Sequence, residues 1–117
     1  MALTRDFKEL LKERLDRDPK AREALLREAV QSMLDGDVDT AKAVLRDYIN
    51  ATIGFQKLGK ATGTPPKSLM RMFGPRGNPQ AKKLFAVIEY LQRKSGVSMA
   101  VRLNYMAAIT AMPPVQA

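Results

Sequence analysis

At 117 residues, 45% of them hydrophobic, the chain holds enough apolar material for one compact domain and too little for a second large one. It contains no cysteine and no histidine, which excludes disulfides, thiolate or imidazole catalysis and cysteine–histidine metal sites, and suits a reducing compartment. The formal charge of +8 is unevenly placed: residues 1–51 carry 10 Lys or Arg against 11 Asp or Glu, a net of −1, whereas residues 52–117 carry 10 against the single Glu89, a net of +9.

The first expected element is an amphipathic helix over residues 3–16, because Leu3, Phe7, Leu10, Leu11 and Leu15 recur at helical spacing. Asp18 and Pro19 read as the cap and first position of a second helix, with Leu26, Val30, Met33 and Leu34 as its apolar stripe and Gly36 as its end. A third helix starts after Asp37 or Asp39. Its face is Val38, Ala41, Leu45, Tyr48 and Ile49, and the chain breaks near Gly54. The charges at i,i+4 spacing on these helices, Glu9 to Glu13 and Arg14 to Asp18, read as solvated faces without chemistry.

From Phe55 to Thr62 a short helix buries Phe55, Leu58 and Thr62, with Gly59 small enough for a neighbour to cross closely. Gly63 ends it in the left-handed conformation that glycine tolerates best. Another begins near Pro66, where a missing N–H costs nothing, burying Leu69, Met72 and Phe73 and exposing Lys67, Ser68, Met70 and Arg71. The pattern is a helix-turn-helix with a basic outer face, whose second helix suits the DNA major groove. A loop at residues 75–77 follows, then Asn78-Pro79 as cap and first turn of a helix buried along Leu84, Phe85, Ile88 and Leu91 and stopped by Gly96. Val97, Met99, Val101 and Leu103 alternate with polar or small residues, the period either of a half-buried strand, whose unpaired edge suits a second subunit or another protein, or of an extended tail. The remaining YMAAITAMPPVQA is an apolar tail that folds back on the core or covers such an interface. The fold expected is mainly α, five or six helices with a short C-terminal strand. It divides into a helical extension (1–36), a helix-turn-helix core (37–104) and a tail (105–117) within one compact domain.

Over residues 24–103 the chain resembles the HigA-like addiction-module antidote proteins, antitoxins with a phage-repressor-type helix-turn-helix. The resemblance rests on DGD at 35–37, LGKATG at 58–63, SLMRMF at 68–73 and GNP at 77–79. The family usually has alanine at the place of Gly59, a polar cap at Pro65 and tyrosine at Met70. It implies a repressor of its own operon that neutralises a small toxin protein. A basic toxin would be drawn to Asp35, Asp37, Asp39 and Asp47 on the near-neutral front half.

Clustered Lys and Arg gain from releasing the counterions condensed on nucleic acid, so the basic half points to a polyanion. The candidate DNA contacts are Gln56 at the start of the first short helix for a phosphate, Thr64 in the turn, and Lys67, Ser68 and Arg71 on the second for base edges. Met70 can meet a thymine methyl group, and Arg76 and Asn78 lie where the loop meets the sugar-phosphate chain. No catalytic, cofactor or metal residues are expected: without His or Cys, and with one carboxylate in the basic half, no acid–base pair is available for an enzyme. The expected partners are a near-palindromic duplex, a second copy of the chain and a small toxin, with no membrane. The expected location is cytoplasmic, since no apolar run approaches the roughly 20 residues of a membrane span and the N-terminus lacks a signal-peptide core. The competing readings are a free-standing regulator without a toxin and a protein-interaction module.

Overall fold

A computed structural model describes residues 5–105 of the chain. Among them are six helices and no strand: α1 (Arg5–Arg17), α2 (Pro19–Leu34), α3 (Val38–Ala51), α4 (Phe55–Thr62), α5 (Pro66–Met72) and α6 (Ala81–Ser95). The expectations for Leu3 and for the tail at 106–117 lie outside the described residues. No helix among the described residues is long and apolar enough to cross a membrane.

Local chemistry sets the helix starts in the first half. Asp18 caps α2 by accepting the Lys20 N–H at 3.0 Å, and Pro19 occupies the first turn, where no N–H is needed. Asp37 caps α3, accepting the Thr40 N–H at 3.2 Å and the Thr40 hydroxyl at 2.6 Å. These two bonds to Thr40, the hydroxyl first and the backbone second, hold the Asp37 carboxyl below its ordinary pKa.

One apolar core joins every helix. Leu15, Leu26 and Ala29 from α1 and α2 pack with Leu45, Tyr48 and Ile49 of α3, and these with Phe55, Leu58, Leu69, Phe73, Val87 and Leu91. The rings of Phe55 and Phe73 lie 6.3 Å apart and tilted by 47°, a contact that ties the start of α4 to the end of α5. The helix α3 packs against α1, α2 and α4, so residues 5–36 share their core with the rest of the described chain.

The structure corrects five details. On α1 only Leu15 is fully buried; Phe7 and Leu10 are 50% and 64% exposed, because the helix meets α2 and α3 through its C-terminal turns. Leu34 and Val38, at the ends of their stripes, are also exposed. On α6 the buried face runs through Leu84, Val87, Ile88 and Leu91, leaving Phe85 63% exposed, since i,i+3,i+4,i+7 spacing from Leu84 selects Val87. Asn78-Pro79 does not open α6: the cap is Gln80 and the helix starts at Ala81. The preceding carbonyl of Gly77 accepts from the buried Lys42 ammonium, and residues 77–80 lie outside any helix. Residues 97–105 form no strand. Val97 and Met99 alternate inward as the period predicts, but Val101 and Leu103 are 65% and 93% exposed, and the Met99 N–H is satisfied by the Gln92 side chain at 2.7 Å.

Candidate nucleic-acid interface

The helices α4 and α5 meet at a turn of residues 63–65. Gly63 has φ 71° and ψ 21°, the left-handed cap that a side chain would strain, and the Thr64 N–H returns to the Gly59 carbonyl at 3.2 Å. Gly59 makes a close approach possible: a Cβ there would lie 2.7 Å from the Thr64 oxygen and 3.2 Å from the Pro66 ring. The Thr64 carbonyl and the Pro66 ring both press on the position an alanine methyl would take, which couples the turn sequence to the glycine of the preceding helix.

Short as it is, α5 divides cleanly. Leu69 and Phe73 are fully buried and Met72 half-buried, while Lys67, Ser68, Met70 and Arg71 face solvent. A shallow groove brings Thr64, Ser68 and Arg71 together with Arg76 and Asn78 of the following loop and with Gln80 and Lys83 at the start of α6. No acidic residue lines it. Gln56, on the first turn of α4, and Lys67 and Met70, on α5, are exposed but stand outside this groove. Sequence reasoning missed Gln80 and Lys83 because it opened α6 two residues too early.

The starts of α5 and α6, which border this groove, and that of α4, whose Lys57 lines a separate pocket, share an electrostatic feature. The caps of α4, α5 and α6 are Gly54, Pro65 and Gln80, none makes a side-chain capping bond, and none of the three helices has an acid in its first turn. Each instead carries lysine there: Lys57, Lys67, and Lys82 with Lys83. Lysine at the positive end of a helix dipole is unfavourable within the chain, and the uncapped N–H groups and ammonium groups together favour an external anion.

Behind the groove lies a residue that the sequence reading left among the solvated charges. Lys42 of α3 is 5% exposed and donates to the carbonyls of Gly77 at 2.7 Å and Gly74 at 3.2 Å. The signal was present: Lys42 sits three residues before Leu45 and seven before Ile49, on the apolar face. On the front half, Asp35 and Asp37 are exposed but engaged, with Gln31 and Thr40, and Asp39 pairs with Lys42 at 3.5 Å. Among the described residues no His, Cys, Asp or Glu cluster is placed to hold a metal ion. Comparison of the chain with family models, with curated proteins and with solved structures finds no match.

Proposed function

We propose that the protein is a double-stranded-DNA-binding transcriptional regulator of the cytoplasm, in which α4, the turn and α5 act as a helix-turn-helix and α5 enters the major groove. The observation that carries this reading is the acid-free groove at α5. Thr64, Ser68, Arg71, Arg76 and Asn78 converge there, next to helix starts whose lysines and uncapped N–H groups face outward. Arg71 is the base reader, since a guanidinium meets guanine O6 and N7 with two parallel bonds. Lys67, Ser68 and Met70 extend the base contact, and Gln56, Arg76, Asn78, Lys82 and Lys83 meet phosphates.

A seven-residue helix buries too little surface to select one genomic site, so two copies reading a near-palindromic operator about 34 Å apart are part of the reading. Val101, Leu103 and Tyr105 offer apolar side chains for that pairing, though not as a strand edge. The resemblance to HigA-like antidotes supports extending the role to an antitoxin that also sequesters a small toxin, whose basic groups would meet the front-half acids, among them Asp39, which also pairs with Lys42. A pull-down of the neighbouring gene product, with and without residues 1–20, tests that extension.

The DNA reading is tested by selecting a preferred duplex from a random pool and titrating it at several salt concentrations. Affinity is expected to fall with a log–log slope of about −0.9 per phosphate neutralised. Arg71→Ala is expected to cost about 1–3 kcal/mol on the selected duplex and little on random DNA. A flat salt response, or equal losses on both duplexes, overturns it.

A further inference from the structure

The Lys42 ammonium is the inner support of the loop between α5 and α6. It lies 2.7 Å from the Gly77 carbonyl oxygen, 3.2 Å from that of Gly74 and 3.5 Å from that of Pro75, with one Asp39 carboxylate oxygen also at 3.5 Å. The three carbonyls belong to one turn, closed by the Gly77 N–H on the Gly74 oxygen at 3.0 Å. One helical turn along α3, the Arg46 guanidinium donates to the carbonyl of Phe73, the residue that caps α5, at 3.4 Å. From the other side, a Cβ on Gly77 would overlap the Arg71 and Met72 carbonyl oxygens, so the loop is seated against the end of α5 with no room for a side chain.

An ammonium taken out of water is costly unless its N–H groups are satisfied, and here the turn carbonyls satisfy them. The same positive charge stands at the carbonyl end of α5, where the helix dipole favours it. A hydrocarbon of equal size would fill the space, but it would not select the single loop arrangement in which those carbonyls converge. With the carbonyls held inward, Arg76 and Asn78 are exposed along the groove that contains Arg71.

We infer that Lys42 is a positioning residue for DNA recognition: it orders residues 74–77 from α3 so that Arg76 holds its phosphate-binding place beside α5, without itself touching DNA. The functional half of this inference rests on the DNA-binding reading; the ordering of the loop does not.

The experiment pairs a double-mutant cycle with hydrogen exchange, on the full chain. Arg76→Ala alone is expected to lower affinity for the selected duplex about tenfold and to reduce the salt slope by about 0.9, the loss of one phosphate contact. Lys42→Met is expected to do the same although it removes a buried charge, and the double variant is expected to be no weaker than either single one. Without DNA, Lys42→Met is expected to accelerate exchange of the Gly77 amide at least tenfold while the α4 amides keep their protection. Lys42→Gln, which retains donors on a shorter arm, is expected to give smaller shifts in the same direction and serves if the methionine variant does not fold. Losses that multiply in the double variant overturn the positioning role, and unchanged Gly77 exchange overturns the loop support itself. Failure of the wild-type chain to bind any duplex overturns the DNA reading and with it the functional half, leaving the exchange result to decide the loop support.

Discussion

The helices of residues 5–51 and those of residues 55–95 contribute to the same core but begin in opposite ways. In the first group α2 and α3 open on aspartates whose side chains accept first-turn N–H groups, and α1 and α3 carry Asp6 and Asp39 in their first turns. In the second group the caps are silent, acids are missing from the first turns and lysines stand in their place. In the first group the starts of α2 and α3 are satisfied within the chain by Asp18 and Asp37, although α2 has a lysine, Lys20, and no acid in its first turn. The second leaves donors and positive charge outward, an arrangement that costs stability in isolation and is relieved by an anion. The division of charge along the sequence is therefore also a difference in how helix starts are satisfied, and under the proposed function the second group is the surface that an anion completes.

The sharpest challenge to this comparison is whether the two groups are one cooperative unit. Leu58 is fully buried at their junction, so Leu58→Ala is expected to cost about 2–5 kcal/mol, a large share of a small domain's stability. Amides of α2, α3, α4 and α6 are expected to lose protection together in hydrogen exchange; survival of α2 and α3 while α4 to α6 melt would divide the molecule into two units.

Next in size is Gly59→Ala, which adds a methyl group where α4 and the turn meet. Alanine gains about 1 kcal/mol in helix propensity, but its Cβ falls 2.7 Å from a backbone oxygen, and overpacking of this kind costs about 1–3 kcal/mol. The expected net is a destabilisation of about 1 kcal/mol in urea unfolding, accompanied by weaker DNA binding because the turn is displaced. A more stable variant would show that the turn relaxes freely.

The helix starts supply a matched pair of changes. Asp18→Ala removes a cap from the scaffold and is expected to cost about 1 kcal/mol without altering DNA affinity. Gln80→Asp adds a cap and an acid to α6 and is expected to stabilise the fold by about 0.5–1 kcal/mol while weakening DNA binding. If Gln80→Asp leaves affinity intact, the uncapped starts have no role in anion binding.

The smallest expected effect concerns pH. Because the folded pKa of Asp37 is lowered by its bonds to Thr40, its contribution to stability is present above the ordinary carboxylate pKa and is lost as pH falls through the lowered folded value. An acid titration of Asp37→Asn beside the wild type is expected to show the two converging at low pH. A difference that persists there would assign the cap to geometry alone.

Much of this was legible in the residues. The bounds of α4 and α5, the buried pair Leu69 and Phe73 and the exposed set Lys67, Ser68, Met70 and Arg71 follow from helical spacing and the breakers Gly63 and Pro66, all local signals. The apolar residues Phe7, Leu10 and Phe85 were placed inward by the same logic, yet they face outward, because periodicity defines a stripe but not how far a neighbouring helix reaches along it. The strand expected at 97–103 failed for a related reason. Alternation marks which side chains can turn inward, as Val97 and Met99 do, but a strand also needs a partner edge, and the described residues provide none.

The amino-acid sequence by itself determined the helices, the caps of α2 and α3 and the segregation of charge, because these depend on residues a few positions apart. Only the tertiary structure decided that Lys42 and Arg46 close the end of α5, across 32 to 35 and 27 positions of sequence respectively. It also decided that Arg71, Arg76 and Lys83 share one groove. A lysine on an apolar stripe has no legible partner until the fold brings carbonyl oxygens to it, since backbone acceptors are the same at every residue and their direction is set by the path of the chain.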